Sequence, residues 1–191
     1  MEPKEPLEIK EEPGDLEVFE EKKRPKKLKI KLRDGKEREI QHMIATSFWS
    51  ADGKPISAEE FLENLFGKLP EFFRNEEELR KIWSVPSTRK ALLESLDEAG
   101  YGKDEFATLQ KLVNAENSDI FDVLEYISFA VKPMTREERV AQARPFIFNG
   151  VNQNQKDFLD FVLSKYIETG VDEIDQEKLP DLLSLKYYSI T

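Results

Sequence analysis

The hydrophobic period of this chain changes from two to about 3.6 near residue 54, and few folds accommodate both halves of that pattern. Residues 27–33 alternate strictly. Leu28, Ile30 and Leu32 face one side, and Lys27, Lys29, Lys31 and Arg33 face the other, as in a strand with one wet face. Asp34-Gly35 follows as a turn, and residues 37–48 read as a second strand with Ile40, Ile44 and Phe48 at even spacing. A two-residue loop would set Ile30 against Glu39. The register that sets Ile30 against Ile40, Lys31 against Glu39 and Arg33 against Glu37 matches apolar with apolar and opposes charges, so it is the expected one.

After the turn at Asp52-Gly53-Lys54-Pro55 the spacing is helical. Ser57 and Glu60 form a capping box that opens a helix carrying Phe61, Leu62, Leu65 and Phe66, and Pro70 ends it or starts another turn. Asn75 caps a short helix with Leu79, Ile82 and Trp83, which Pro86 breaks. Ser87 or Thr88 starts the next, which Gly100 and Gly102 close. Residues 103–115 form another helix. Residues 119–131 are apolar almost all round, the mark of a central buried helix that Pro133 ends. Thr135 with Glu138 is a second capping box. Residues 152–169 form an amphipathic helix stopped by Gly170, and residues 175–185 a last short one. The expected fold is mostly α, a helical domain with a small N-terminal β-hairpin. Its parts are a charged, proline-containing linker or tail (1–26), the hairpin (27–50) and the helical domain (51–191).

Charge and composition exclude several classes. No apolar run approaches the ~20 residues of a membrane-spanning helix. The absence of cysteine fixes no compartment, but the first residues lack the apolar stretch of a secretory signal, so the cytoplasm is the expected one. A net charge of −10 argues against bulk attraction to nucleic acid. The charge is uneven, however. Residues 1–21 are rich in glutamate, while residues 22–38 hold a basic block. Lys22, Lys23, Arg24, Lys26, Lys27 and Lys29 are its candidates for phosphate contact, which would hold DNA without reading its sequence. A solubilising hinge fits them equally.

No segment builds a catalytic centre. Gly35-Lys36-Glu37 and Gly53-Lys54-Pro55 lack the earlier glycine and the following Ser/Thr of a phosphate-binding loop. Asp97-Glu98-Ala99-Gly100 has the composition of a helicase acidic box, but follows helical rather than strand spacing. Asp15, Glu20 and Lys22 offer nuclease residue types in a segment with no core to hold them. Read as a calcium loop, Ser50-Ala-Asp52-Gly53 with Glu59 would put its first ligand positions on Phe48 and Ser50, and a phenylalanine cannot be a ligand. His42, the single histidine, cannot make a His-rich metal site. The candidates left are for contact with a partner: Trp49, Trp83, Arg89, Arg136 and Arg139. Each has an alternative. The tryptophans suit a core as well as an interface. Arg89 falls in the first turn of a helix, where a cation opposes the dipole and a partner anion would relieve it. Arg136, Arg139 and Arg144, interleaved with Glu137 and Glu138, also fit a solvated face.

Several segments in order resemble one family. They are Asp34-Gly-Lys-Glu-Arg-Glu-Ile-Gln-His-Met43, Thr46 to Phe61, Leu79-Arg-Lys-Ile-Trp-Ser-Val-Pro-Ser-Thr-Arg89, Ala115 to Leu124, Thr135-Arg-Glu-Glu-Arg139, and Phe158-Leu-Asp-Phe-Val-Leu163 with Gly170 to Pro180. From about residue 28 onward the chain is similar to the EcoEI-type C-terminal domain of type I restriction enzyme R subunits. The resemblance implies a non-catalytic assembly module of a restriction-modification system. It would dock the DNA-translocating and cleaving subunit onto the modification and specificity subunits, with DNA present in the full complex and no membrane. It implies no cofactor for this segment, ATP and Mg2+ being used by the upstream nuclease and motor domains. It also implies a chain cut short at its C-terminal end, since members continue with a further helical stretch.

Overall fold

The computed structural model of the protein describes residues 27–41, 48–50, 52–171 and Lys186. Among them the order is β1 (Lys27–Lys31), β2 (Glu37–Gln41), β3 (Phe48–Trp49), β4 (Pro55–Ile56), α1 (Ala58–Lys68), α2 (Glu76–Ser84), α3 (Pro86–Glu98), α4 (Lys103–Leu112), α5 (Ile120–Phe129), α6 (Arg136–Ile147) and α7 (Gln153–Thr169). A 3-10 turn at Leu69–Glu71 carries Pro70 out of α1. The chain is mostly α with a small N-terminal hairpin, as its periodicity implies. The tail over residues 1–26, His42, Ile44 and the short helix expected over residues 175–185 lie outside the described residues.

The hairpin forms in a register different from the expected one. Lys31 lies opposite Glu37, Lys29 opposite Glu39, Ile30 opposite Arg38 and Leu28 opposite Ile40. The turn explains the shift. Leu32 N–H donates to Lys36 O (3.3 Å) and Gly35 N–H to Leu32 O (2.9 Å), closing a three-residue loop over Arg33, Asp34 and Gly35. The third residue of such a loop is left-handed, and Gly35 takes it at φ +77°. The expected register closes on Arg33 and Glu37 and would force Lys36 into that conformation, which costs a residue with a side chain about 1 kcal/mol or more. Charge matching could not discriminate, because both registers oppose Lys to Glu. The glycine did.

The second strand does not run through to Phe48 in one sheet as expected. β2 ends at Gln41, and Phe48 belongs instead to β3, which pairs antiparallel with β4 (Phe48 with Ile56, Trp49 with Pro55). Its turn repeats the first. Ser50 N–H donates to Lys54 O (2.8 Å), Gly53 N–H donates to Ser50 O (2.9 Å), and Gly53 has φ +72°.

The helix starts follow the sequence closely. The side chains of Ser57, Asn75, Thr135 and Asn152 accept from the third residue of α1, α2, α6 and α7, and the boxes at Thr135 and Asn152 are reciprocal. α3 begins at Pro86 itself rather than at Ser87 or Thr88, since proline suits the first helical position. Gly102 is the N-cap of α4 rather than the end of α3. α5 stops at Phe129, before Pro133, because Ala130 turns left-handed at φ 61°. α4 ends the same way ahead of Asn114 at φ 57°.

One apolar core is assembled from α1–α5 and the hairpins. Leu65, Leu79, Leu96, Leu109, Val123, Leu124 and Ile127 are fully enclosed within it, and Ile30, Leu32, Ile40 and Phe48 close one end. Phe48 stacks on Phe61 at 4.3 Å between ring centroids, and Tyr101 meets Phe61 edge-on at 5.4 Å. α5 is buried on most of its circumference, including Asp122 and Glu125. Val140 of α6 and Tyr166 of α7 are buried too, but outside that core.

Candidate docking site

The hairpin is built around an inward arginine. Alternation puts Arg38 on the same face as Ile40, and its side chain is 1% exposed. Its guanidinium donates to both Asp34 oxygens (2.9 and 2.8 Å), to Lys36 O, and to Tyr126 O (3.3 Å) and Ile127 O (2.8 Å) in the last turn of α5. Lys36 Nζ donates to Phe129 O (3.2 Å) beside it. Two cations therefore cap the negative end of the central helix. The hydrogen bonds from Arg38 hold the Asp34 carboxyl below its usual range. Sequence reasoning missed this residue. Its only signal was an arginine at a core-facing strand position.

The basic candidates that fall in the described residues are internally paired. Lys27 Nζ lies 3.3 Å from Glu39 and Lys29 Nζ 3.2 Å from Glu37, all four exposed. Arg33 pairs with Glu63 at 3.1 Å. Lys22, Lys23, Arg24 and Lys26 lie outside the described residues.

Trp83 is half-buried against Phe121 (5.9 Å), and Arg89 lies over its ring at 5.9 Å. Arg89 is 5% exposed. It points back to Trp83 O (3.0 Å) at the end of α2, where a cation favours the dipole of that helix rather than opposing that of its own.

Arg136 and Arg139 enter a polar network joining α5, α6 and α7. Arg136 donates through Nε to Ile167 O (3.0 Å) and through Nη1 to Ser118 O (3.0 Å), and lies 3.8 Å from Asp119. Arg139 Nη2 is 2.6 Å from Asp122 Oδ1 and its guanidinium sits over Phe121. Tyr166 OH donates to Asp119 Oδ2 at 2.7 Å. Burial pushes the Asp119 carboxyl up, with Tyr166 and the two arginines opposing the rise. The Tyr166 hydroxyl is raised as well, by burial first and then by its bond to Asp119. Arg144 of α6 pairs with Asp160 of α7 at 2.8 Å.

The structure thus brings Arg136 and Arg139 together, and Trp83 with Arg89, in intramolecular contacts. Trp49 stands apart from them at 61% exposure. The most exposed large apolar side chain in the described residues is Phe146, at 83%, next to Pro145 near the end of α6. Phe146 lies in the helix that the capping box at Thr135 opens. Beyond it, Val151, Phe158 and Leu159 line a shallow open depression at the start of α7. Among the described residues no three His, Cys, Asp or Glu side chains are placed to hold a metal ion, and no helix is long and apolar enough to cross a membrane.

The family model described as EcoEI R protein C-terminal matches residues 59–190. The N-terminal segments of the resemblance, Asp34 to Met43 and nearly all of Thr46 to Phe61, precede that span. Over 129 residues the chain is 26% identical to the type I restriction enzyme EcoAI endonuclease subunit of Escherichia coli. That alignment takes in 67% of this chain and 15% of the relative, so the chain spans only a small part of the relative's length. No solved structure matches.

Proposed function

The chain belongs to the EcoEI R protein C-terminal family, and from that premise we propose that it is a non-catalytic assembly module of a type I restriction endonuclease subunit. In this reading it docks the DNA-translocating and cleaving subunit onto the modification methyltransferase and its specificity subunit. The ATP- and Mg2+-dependent chemistry would belong to the rest of such a subunit.

The observation that carries the docking reading is the solvent exposure of Trp49 and Phe146 in a chain whose other described tryptophan, Trp83, packs inward. Aromatic side chains of that size supply most of the energy of a protein interface when a partner buries them. On the helix of Phe146, Arg144 is already paired with Asp160, leaving apolar area as the feature that the end of α6 offers outward. A nucleic-acid reading finds less support, because Lys27 and Lys29 are answered by Glu39 and Glu37. The full chain should co-purify with the matching modification complex in the absence of DNA and hold through 0.5 M NaCl. Binding to duplex DNA alone, lost on raising the salt, with none to the modification complex would refute the proposal.

A further inference from the structure

We propose that α6 and α7 form a hairpin that opens from the α1–α5 core as one unit, latched to it by the polar contacts of Asp119 and Asp122. The apolar core and the half-buried side chains packed on it come from the β-hairpins, the 3-10 turn and its flank, α1–α5 and the loops joining α3 to α4 and α4 to α5. None comes from α6 or α7. The enclosed side chains of the hairpin, Val140 and Tyr166, lie outside that core.

The attachment is polar instead. Arg136 N–H donates to Asn117 O (2.7 Å), Met134 N–H to Asp122 Oδ1 (3.2 Å), Arg139 pairs with Asp122, and Tyr166 donates to Asp119. Arg136 is the keystone. From the first position of α6 it reaches Ser118 O ahead of α5 and Ile167 O near the end of α7, binding the two arms to each other and to the core. The ring of Phe121 under the Arg139 guanidinium, at 5.7 Å, is the apolar element of the contact.

A segment held by hydrogen bonds rather than by enclosed apolar area exchanges its contacts for water at low cost, since each bond contributes little net stability. The apolar core does not have to be broken for it to leave. Within the hairpin, Arg144 with Asp160 and Arg136 with Ile167 O keep α6 and α7 together, so they should move jointly.

Native-state amide hydrogen exchange on the full chain tests this. Amides of α6 and α7 should share a common opening rate at least tenfold faster than those around Leu109 in α4 and Leu124 in α5. Tyr166→Phe removes one latch bond, and Arg136→Gln removes several. Each should speed exchange in both α6 and α7, by about tenfold for the tyrosine variant, while the rates at Leu109 and Leu124 stay unchanged. Equal protection of the hairpin and the core, separate rates for α6 and α7, or acceleration of the core amides by Tyr166→Phe would each overturn the proposal.

Discussion

Replacing Arg38 by methionine should be among the most damaging single changes to the hairpin. Methionine keeps most of the length of the side chain, so the loss is mainly polar. Three consequences follow from the structure. Tyr126 O and Ile127 O at the end of α5 lose donors, and Ile127 O loses one in a buried setting. A buried acceptor left without its charged donor costs about 1–3 kcal/mol. The Asp34 carboxylate loses a bidentate partner, but at 22% side-chain exposure it regains water and forfeits less. The dipole of α5 loses one of two cations, worth roughly 0.3–1 kcal/mol. The sum, about 3 kcal/mol, lies near the low end of the range for breaking a buried ion pair. Urea denaturation followed by far-UV circular dichroism would read it as a lower midpoint with an unchanged slope. Arg38→Lys should recover only part of the loss, since one ammonium cannot serve Asp34 and two carbonyls at once. A change below about 1 kcal/mol for Arg38→Met would refute the view that this side chain joins hairpin to core.

Two further expectations concern single positions. Gly35→Ala should destabilise the chain by about 1 kcal/mol, because alanine resists the left-handed conformation at φ +77°. D-alanine at the same place, introduced by ligation, should restore it, and equal effects from the two enantiomers would contradict the turn's role in setting the register. Asp119 gives a pH signature. Burial raises its carboxyl, with Asp122 adding to the rise and Tyr166, Arg139 and Arg136 opposing it. A raised folded-state value means that stability is present below the ordinary carboxylate value, near pH 4, and is lost as pH climbs through the raised one. Asp119→Asn should therefore gain on the wild type as pH rises above about 4. A difference that is flat with pH, or that reverses, would show the carboxylate to be better paired than its burial implies.

The helices were legible because their signals are local. A capping side chain at Ser57, Asn75, Thr135 or Asn152 bonds within its own first turn, and Gly170 ends α7 within one residue. The seven-residue alternation over Lys27 to Arg33 announced a strand for the same reason. The register was not legible from charge matching, because lysines recur at every second position of β1 and Glu37 and Glu39 stand two apart in β2, so they oppose each other at either offset. The answer lay in the conformation that Gly35 alone accepts. Arg38 and Arg89 were misjudged because each donates to backbone carbonyls at the end of a helix outside its own element, Arg38 to α5 far along the chain and Arg89 to Trp83 O six residues back. The ends of α5 and α2 are invisible to a reading that looks for acidic side chains. Arg136 and Arg139 fitted a solvated face by spacing, whereas Asp119 and Asp122 drew them inward across a turn that sequence does not place. Exposure divided Trp49 from Trp83 for a similar reason. Trp83 meets Phe121 from a helix more than thirty residues away, while Trp49 sits on a two-residue strand.

In the proposed function, exposed apolar side chains of the described residues, rather than the basic segment near the N-terminus, bind a partner complex. Calorimetric titration of the matching modification methyltransferase complex compares two altered forms of the full chain most directly: Trp49→Ser with Phe146→Ser, and deletion of residues 1–26. The aromatic double variant should weaken binding at least tenfold, the loss of about 1.4 kcal/mol expected of interface aromatics, while the deletion changes affinity less than threefold. Binding abolished by the deletion and untouched by the double variant would contradict the account.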